Sequence, residues 1–111
     1  LLRLFSAVLK NQTLTATGRA GILSARRAYF DNVLDQPYKA LEDAREAAST
    51  WPARWHYQKR LAELTLRLSL PEESEKVLTR ALARGLPENQ AVEAQKLLQL
   101  AQEAKKQPSH E

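Results

Sequence analysis

The sequence predicts an all-α protein of about six helices, because apolar residues recur along it at spacings of three and four. The composition agrees, since Ala, Leu, Glu, Lys and Arg dominate and only 3 Gly and 5 Pro occur among 111 residues. No stretch alternates apolar and polar residues in the period of a strand, and no Asn-Gly or Asp-Gly hairpin signal is present. We therefore expect helices joined by short turns.

Two segments in the first half of the chain carry the helical spacing. Residues 18–34 form the first, and residues 38–50 form the second, with a turn that contains Pro37 between them. The pair Trp51-Pro52 ends the second helix, because the residue before a proline avoids the helical region. Together they predict a helical hairpin.

Three further helices follow in the second half. Residues 53–69 form one helix, and Pro71 begins the next in the first-turn position that proline favours. Gly85 is a good C-terminal stop for that helix. The last helix is predicted over residues 88–106, as a cap, and the remaining residues 107–111 are predicted to be a frayed tail.

A constant offset of 34 residues along the chain relates positions in its two halves, and we call this offset the repeat step. It leads from Pro37 to Pro71, and the other pairs that it relates all keep apolar or small character: Ala28 with Ala62, Leu34 with Leu68, Ala44 with Leu78, Ala47 with Ala81, and Ala48 with Leu82. On these residues the chain resembles the tetratricopeptide repeat family, whose unit is a helix–turn–helix of about 34 residues.

The resemblance implies one tetratricopeptide-like domain over residues 1–111, with repeats at about 21–54 and 55–88. It also implies antiparallel helical hairpins that stack as a short right-handed solenoid. The match is to the packing skeleton, because the Trp and Tyr positions of the family's first helix hold other residues here: Ser24 and Asp31, then Gln58 and Thr65.

The segment over residues 1–20 allows two interpretations. One repeat step back from the second helix of the first repeat falls on residues 3–16, so this segment is either the second helix of a degenerate partial repeat or an unrelated helix on the end of the array. The stretch "TGRAG" beginning at Thr17 has no phosphate-loop lysine and no preceding strand, so we interpret it as a helix start.

Catalytic and metal sites lack their minimum parts. The chain has no Cys, and its two histidines, His56 and His110, are far apart. The serines have no glycine elbow or adjacent base. The adjacent carboxylates Glu42 and Asp43 point apart on a helix and are expected to be solvated. We expect no catalysis, metal or cofactor.

The resemblance implies that the first helix of each repeat lines a concave groove. The groove positions fall on Ile22, Ala25, Tyr29 and Asn32 in the first repeat, and on His56, Lys59, Glu63 and Leu66 in the second. Arg26 and Arg60 form a matched pair that would flank the groove. A strip with Tyr29, Asn32, Lys59 and Arg60 could hold a peptide carboxylate by charge-assisted hydrogen bonds. The alternative is that Arg60, Glu63 and Arg67 simply form surface ion pairs.

Aromatic residues cluster in sequence around Pro52, where Trp51, Trp55 and Tyr57 are expected to form a structural plug. At the other end of the chain, Leu1, Leu2, Phe5 and Leu9 are the residues through which end helices could pair in a homo-oligomer.

Three functions remain open at this point. The first is a protein-interaction or scaffolding module whose partner is another protein, a peptide segment, or the rest of a longer chain. The second is the accessory helical domain of a larger bacterial envelope polymerase or glycosyl-transfer protein with its catalytic residues elsewhere. The third is weak nucleic-acid binding, which the net charge of +4 allows but no motif supports. No apolar run is long enough to span a membrane, and cytoplasm and periplasm both stay open.

Overall fold

The computed structural model describes residues 1–107 and contains helices and no strand within that range. The six helices are α1 (Leu2–Leu9), α2 (Ala16–Asn32), α3 (Pro37–Thr50), α4 (Trp55–Arg67), α5 (Pro71–Arg84) and α6 (Glu88–Lys106). Over residues 1–107 the predicted all-α class and the predicted number of about six helices are confirmed. Of the predicted tail, residues 108–111, with His110, lie outside the described residues.

The chain divides into two compact units. The first runs from Leu1 to Tyr57 and holds α1, α2, α3 and the first turn of α4. The second begins at Gln58 and holds the rest of α4, then α5 and α6.

In the first unit α2 and α3 pack as an antiparallel hairpin. Arg19 bonds to Glu46, whereas Arg26, two turns further along α2, bonds to Asp43, which lies earlier on α3. The order of these partners along α3 is thus the reverse of their order along α2, as in an antiparallel pair.

In the second unit a similar arrangement joins α4, α5 and α6. The Ser74 hydroxyl near the start of α5 donates a hydrogen bond of 3.0 Å to the carbonyl of Ala62 on α4. Lys105, at the end of α6, bonds to Glu75 in the first turns of α5. Because α5 is antiparallel to both neighbours, α4 and α6 run in the same direction.

Small residues make up much of both cores. A helix face lined by alanine lets the neighbouring backbone approach closely, and the larger buried side chains, such as Leu23 and Leu78, fill the remaining space of each core. The buried alanines of the first unit are Ala20, Ala40, Ala44, Ala47 and Ala48, and those of the second are Ala62, Ala81, Ala94 and Ala101.

The turns before α3 and α5 have the same backbone conformation. Asp35 and Ser69, which are one repeat step apart, both adopt the left-handed region with φ of 51° and 63°. The residues that follow, Gln36 and Leu70, also have nearly the same angles, φ −122°, ψ 74° and φ −118°, ψ 61°. Pro37 and Pro71 then open their helices. The repeat step seen in the sequence is therefore also present in the turn geometry.

The N-terminal segment differs from the helix considered over residues 3–16. α1 stops at Leu9, because the next residues form a turn in which the Asn11 side chain accepts hydrogen bonds from the backbone N–H and hydroxyl of Thr13. α2 then begins at Ala16, with the hydroxyl of Thr15 accepting from the N–H of Gly18 as an N-cap. The interpretation of "TGRAG" as a helix start is confirmed.

Candidate functional site

The four groove positions predicted in the first repeat lie on α2 in the first unit, and Tyr29 and Asn32 are the two at its C-terminal end. Tyr29 is half-buried, and its ring packs on that of Phe5 in α1, with centroids 6.2 Å apart. Asn32 is the last residue of α2 and is exposed. Since α1 already contacts the Tyr29 ring, Asn32 is the more accessible member of this pair.

His56 belongs to an aromatic cluster of the first unit. Its exposed ring and the Tyr57 ring form an edge-to-face contact with ring centroids 5.5 Å apart. The centroids of the Tyr57 and Trp51 rings are 6.0 Å apart. The guanidinium of Arg54 lies over Trp51 at 5.5 Å, and Trp55 is buried. These contacts around Pro52 agree with the structural role predicted for the tryptophans.

Lys59, Arg60 and Glu63 lie on α4 in the second unit. The ammonium of Lys59 forms an ion pair of 2.7 Å with Glu93 of α6. Arg60 and Glu63 form the expected i, i+3 pair at 3.1 Å. All four side chains keep between 29 and 45% of their surface exposed, so the pairs lie within reach of a partner.

The contact between Lys59 and Glu93 joins positions that are one repeat step apart. The same offset relates Glu63 to Leu97 and Leu66 to Leu100. Because α4 and α6 run in the same direction, we expect each of these pairs to lie side by side, as Lys59 and Glu93 do. On each helix the three positions follow i, i+4 and i+7, which puts them on one face. We call the set Lys59, Glu63, Leu66, Glu93, Leu97 and Leu100 the α4–α6 strip.

The strip has a charged end and an apolar end. Lys59 and Glu93 form the charged end, while Leu66 and Leu100 form the apolar end, with Leu100 exposed by 53%. The α6 half was missed in the sequence because that helix was interpreted only as a cap. Applying the repeat step to Lys59 and Leu66 would have found it.

Arg26 and Asp43 correct one expectation. Asp43 was expected to be solvated, but it is only 3% exposed and accepts two hydrogen bonds from Arg26, of 2.9 and 2.7 Å. The hydrogen bond to Asp43 raises the pKa of Arg26 above its usual value, against the lowering effect of burial. Arg26 thus holds α2 to α3.

A shallow cavity of about 530 Å³ lies in the second unit between α5 and α6. Glu75, Gln102, Lys105 and Lys106 line it. A hydrogen bond of 2.6 Å joins Lys105 to Glu75. That bond lowers the pKa of Glu75 and raises the pKa of Lys105. The opposite charges of Glu75 and Lys105 satisfy each other, so this pair stabilises the contact between α5 and α6.

Within residues 1–107 no group of three or more His, Cys, Asp or Glu side chains could hold a metal ion. In the same range, no helix combines the length and apolar character needed to cross a membrane. No protein-family model, curated protein or solved structure matches the chain.

Proposed function

We propose that the chain is a tetratricopeptide-like interaction module that binds a segment of another protein along the α4–α6 strip, without catalysis of its own. The observation that carries this is the ion pair between Lys59 and Glu93. In a solenoid of such repeats, the first helices of successive repeats are neighbours, and equivalent positions on them come together. The matching turns at Asp35 and Ser69 support the same repeat.

The chemistry of the strip defines the segment that it fits. A carboxylate of the partner can replace Glu93 on Lys59, because an exposed ion pair of this kind contributes no more than about 1 kcal/mol and is easily exchanged. An apolar side chain of the same segment can cover Leu66 and Leu100. The expected ligand is therefore a short segment with an acidic group at one end and an apolar residue at the other.

A displayed library of random peptides tests this proposal without knowledge of the natural partner. Peptides are selected on the immobilised chain, and one selected peptide is then titrated by fluorescence anisotropy. We expect selection of peptides that share an acidic and an apolar residue, and binding to Lys59→Glu that is weaker by about tenfold or more, the loss of one charge-assisted hydrogen bond.

Two further variants make the titration specific. Leu100→Ser should also weaken binding, since it removes apolar surface at the other end of the strip. Lys76→Glu is the matched control, because it makes the same charge change on an exposed position of α5. A peptide that binds Lys59→Glu and Leu100→Ser as tightly as the unmodified chain would contradict the proposal.

A further inference from the structure

The excess of positive over negative charge arises at the start of the chain. Residues 1–30 contain five Lys and Arg and no Asp or Glu, whereas the remaining residues contain 12 basic and 13 acidic ones. The net charge of +4 therefore comes from α1, α2 and the turn between them.

Three of these five cations, Arg19, Arg26 and Arg27, interact with other residues of the chain, and two do not. Arg19 bonds to Glu46 and to the carbonyl of Leu9, and Arg26 bonds to Asp43. Arg3 and Lys10, by contrast, are exposed and form no pair with any of the described residues. They are seven residues apart, and Lys10, which caps the C-terminus of α1, still has helical backbone angles, so the two cations lie about two turns apart on one face.

Apolar side chains lie beside these two cations. No residue of α1 is buried, and Leu1 and Leu4 are 63 and 61% exposed. Helical spacing places the exposed Leu4 and Ala7 beside Arg3 and Lys10, with Leu1 one turn before Leu4. The other face of α1 packs on α2 through Phe5. The outer face of α1 thus combines leucine with unpaired positive charge.

We propose that this face of α1 binds the surface of an anionic lipid bilayer. Leu4, with Leu1, would enter the boundary between headgroups and acyl chains, and Arg3 and Lys10 would contact lipid phosphates. Apolar residues flanked by Lys or Arg are what an interfacial helix requires. A second copy of α1 fits less well, because pairing two such faces brings like charges together. Nucleic acid fits less well, because a phosphate backbone gives the leucines nothing to contact.

The attachment is weak and reversible. Two leucines bury less apolar surface than one acyl chain, which itself gives only marginal membrane binding. Each cation near an anionic surface strengthens binding roughly fivefold, so Arg3 and Lys10 together contribute roughly thirtyfold. Binding should therefore require anionic lipid and should weaken as salt is added.

Vesicle flotation tests the proposal with the full chain. One set of vesicles is phosphatidylcholine alone, and the other is an equal mixture of phosphatidylcholine and phosphatidylglycerol. We expect the chain to float with the mixed vesicles only. The double variant Arg3→Glu/Lys10→Glu should lose this binding by roughly thirtyfold or more, and Leu4→Glu should also lose it.

Matched controls separate the face of α1 from general charge and hydrophobicity. Lys76→Glu/Lys96→Glu makes the same net charge change on α5 and α6, and Val92→Glu changes an apolar residue that is 45% exposed. Both should bind the mixed vesicles as the unmodified chain does. Because no residue of α1 is buried, we expect unfolding curves to show that the α1 variants stay folded. If Leu4→Glu does not stay folded, Leu4→Ser replaces it in the flotation experiment.

Several results would overturn the proposal. One is the absence of flotation, and another is equal flotation with both kinds of vesicle. Loss of binding in the control variants would also overturn it. If Leu4→Glu instead abolishes a dimer seen by sedimentation, or if Arg3→Glu/Lys10→Glu abolishes binding to nucleic acid while vesicles are not bound, the face belongs to that other partner.

Discussion

Replacing Arg26 by Met is the sharpest test of how the first unit is held together. The change keeps the length of the side chain but removes the guanidinium that donates two hydrogen bonds to Asp43. Asp43 is 3% exposed, so its carboxylate would stay buried without a partner. Removing one member of a buried ion pair costs about 3 to 5 kcal/mol. Since the Arg26 side chain is itself 22% exposed and water can partly replace it, we expect a loss of about 3 kcal/mol.

Arg19→Met is the control for this experiment. It makes the same substitution on the same helix, and its partner, Glu46, also lies on α3. Here both side chains are exposed, by 38 and 44%, so the loss should be no more than about 1 kcal/mol. The double variant Arg26→Met/Asp43→Ala removes both buried charges and should recover most of the stability lost in Arg26→Met.

Urea unfolding followed by tryptophan fluorescence measures these differences. The two tryptophans, Trp51 and Trp55, both lie in the first unit, so their signal reports on the unit that contains the ion pair. The reasoning would be refuted if Arg26→Met were no more destabilising than Arg19→Met, or if the double variant were less stable than Arg26→Met.

Three further predictions concern the second unit and are checked by far-ultraviolet circular dichroism during unfolding. The pKa of Glu75 is lowered by its bond to Lys105, so its contribution is present above the pKa of the unfolded chain and is lost as the pH falls through the folded value. Glu75→Gln should therefore make stability less dependent on pH in that acidic range, and an unchanged dependence would contradict this. Ser69→Gly should raise the free energy of unfolding by up to about 1 kcal/mol, because it removes the Cβ that makes φ of 63° unfavourable; a clear loss would count against it. Ser74→Ala should lower it by about 1 kcal/mol, because the buried carbonyl of Ala62 loses a hydrogen bond, and no change would show that the bond contributes nothing.

The helix boundaries that depend on proline and glycine could be predicted from the sequence. Pro71 opens α5 and Gly85 follows its end, because each residue acts through its own backbone and needs no distant partner. The final helix was predicted over the same residues as α6. The end of α1 was not predicted, since it depends on a side-chain turn at Asn11.

The candidate site was only partly predictable, because ion pairs depend on which helices are neighbours. Arg60 and Glu63 are close in sequence, and their pair followed from helical spacing. Lys59 was predicted as a groove residue, but its partner Glu93 lies on another helix and did not follow from local spacing. Asp43 was assigned to solvent because local spacing gave no sign that Arg26 would reach it from α2.

The buried ion pair of the first unit also favours one alignment of α3 along α2. Ala40, Ala44 and Ala47 recur about once per turn on the buried face of α3, so sliding that helix by one turn, about 5.4 Å, would place alanine where alanine was before at much of the interface. The alanines alone would hardly distinguish the two alignments, but Leu41, which is buried on the same helix, would lose its place. The same slide would move Asp43 away from Arg26 and leave a carboxylate buried and unpaired. One ion pair and one leucine thus give an alanine-rich interface a single register.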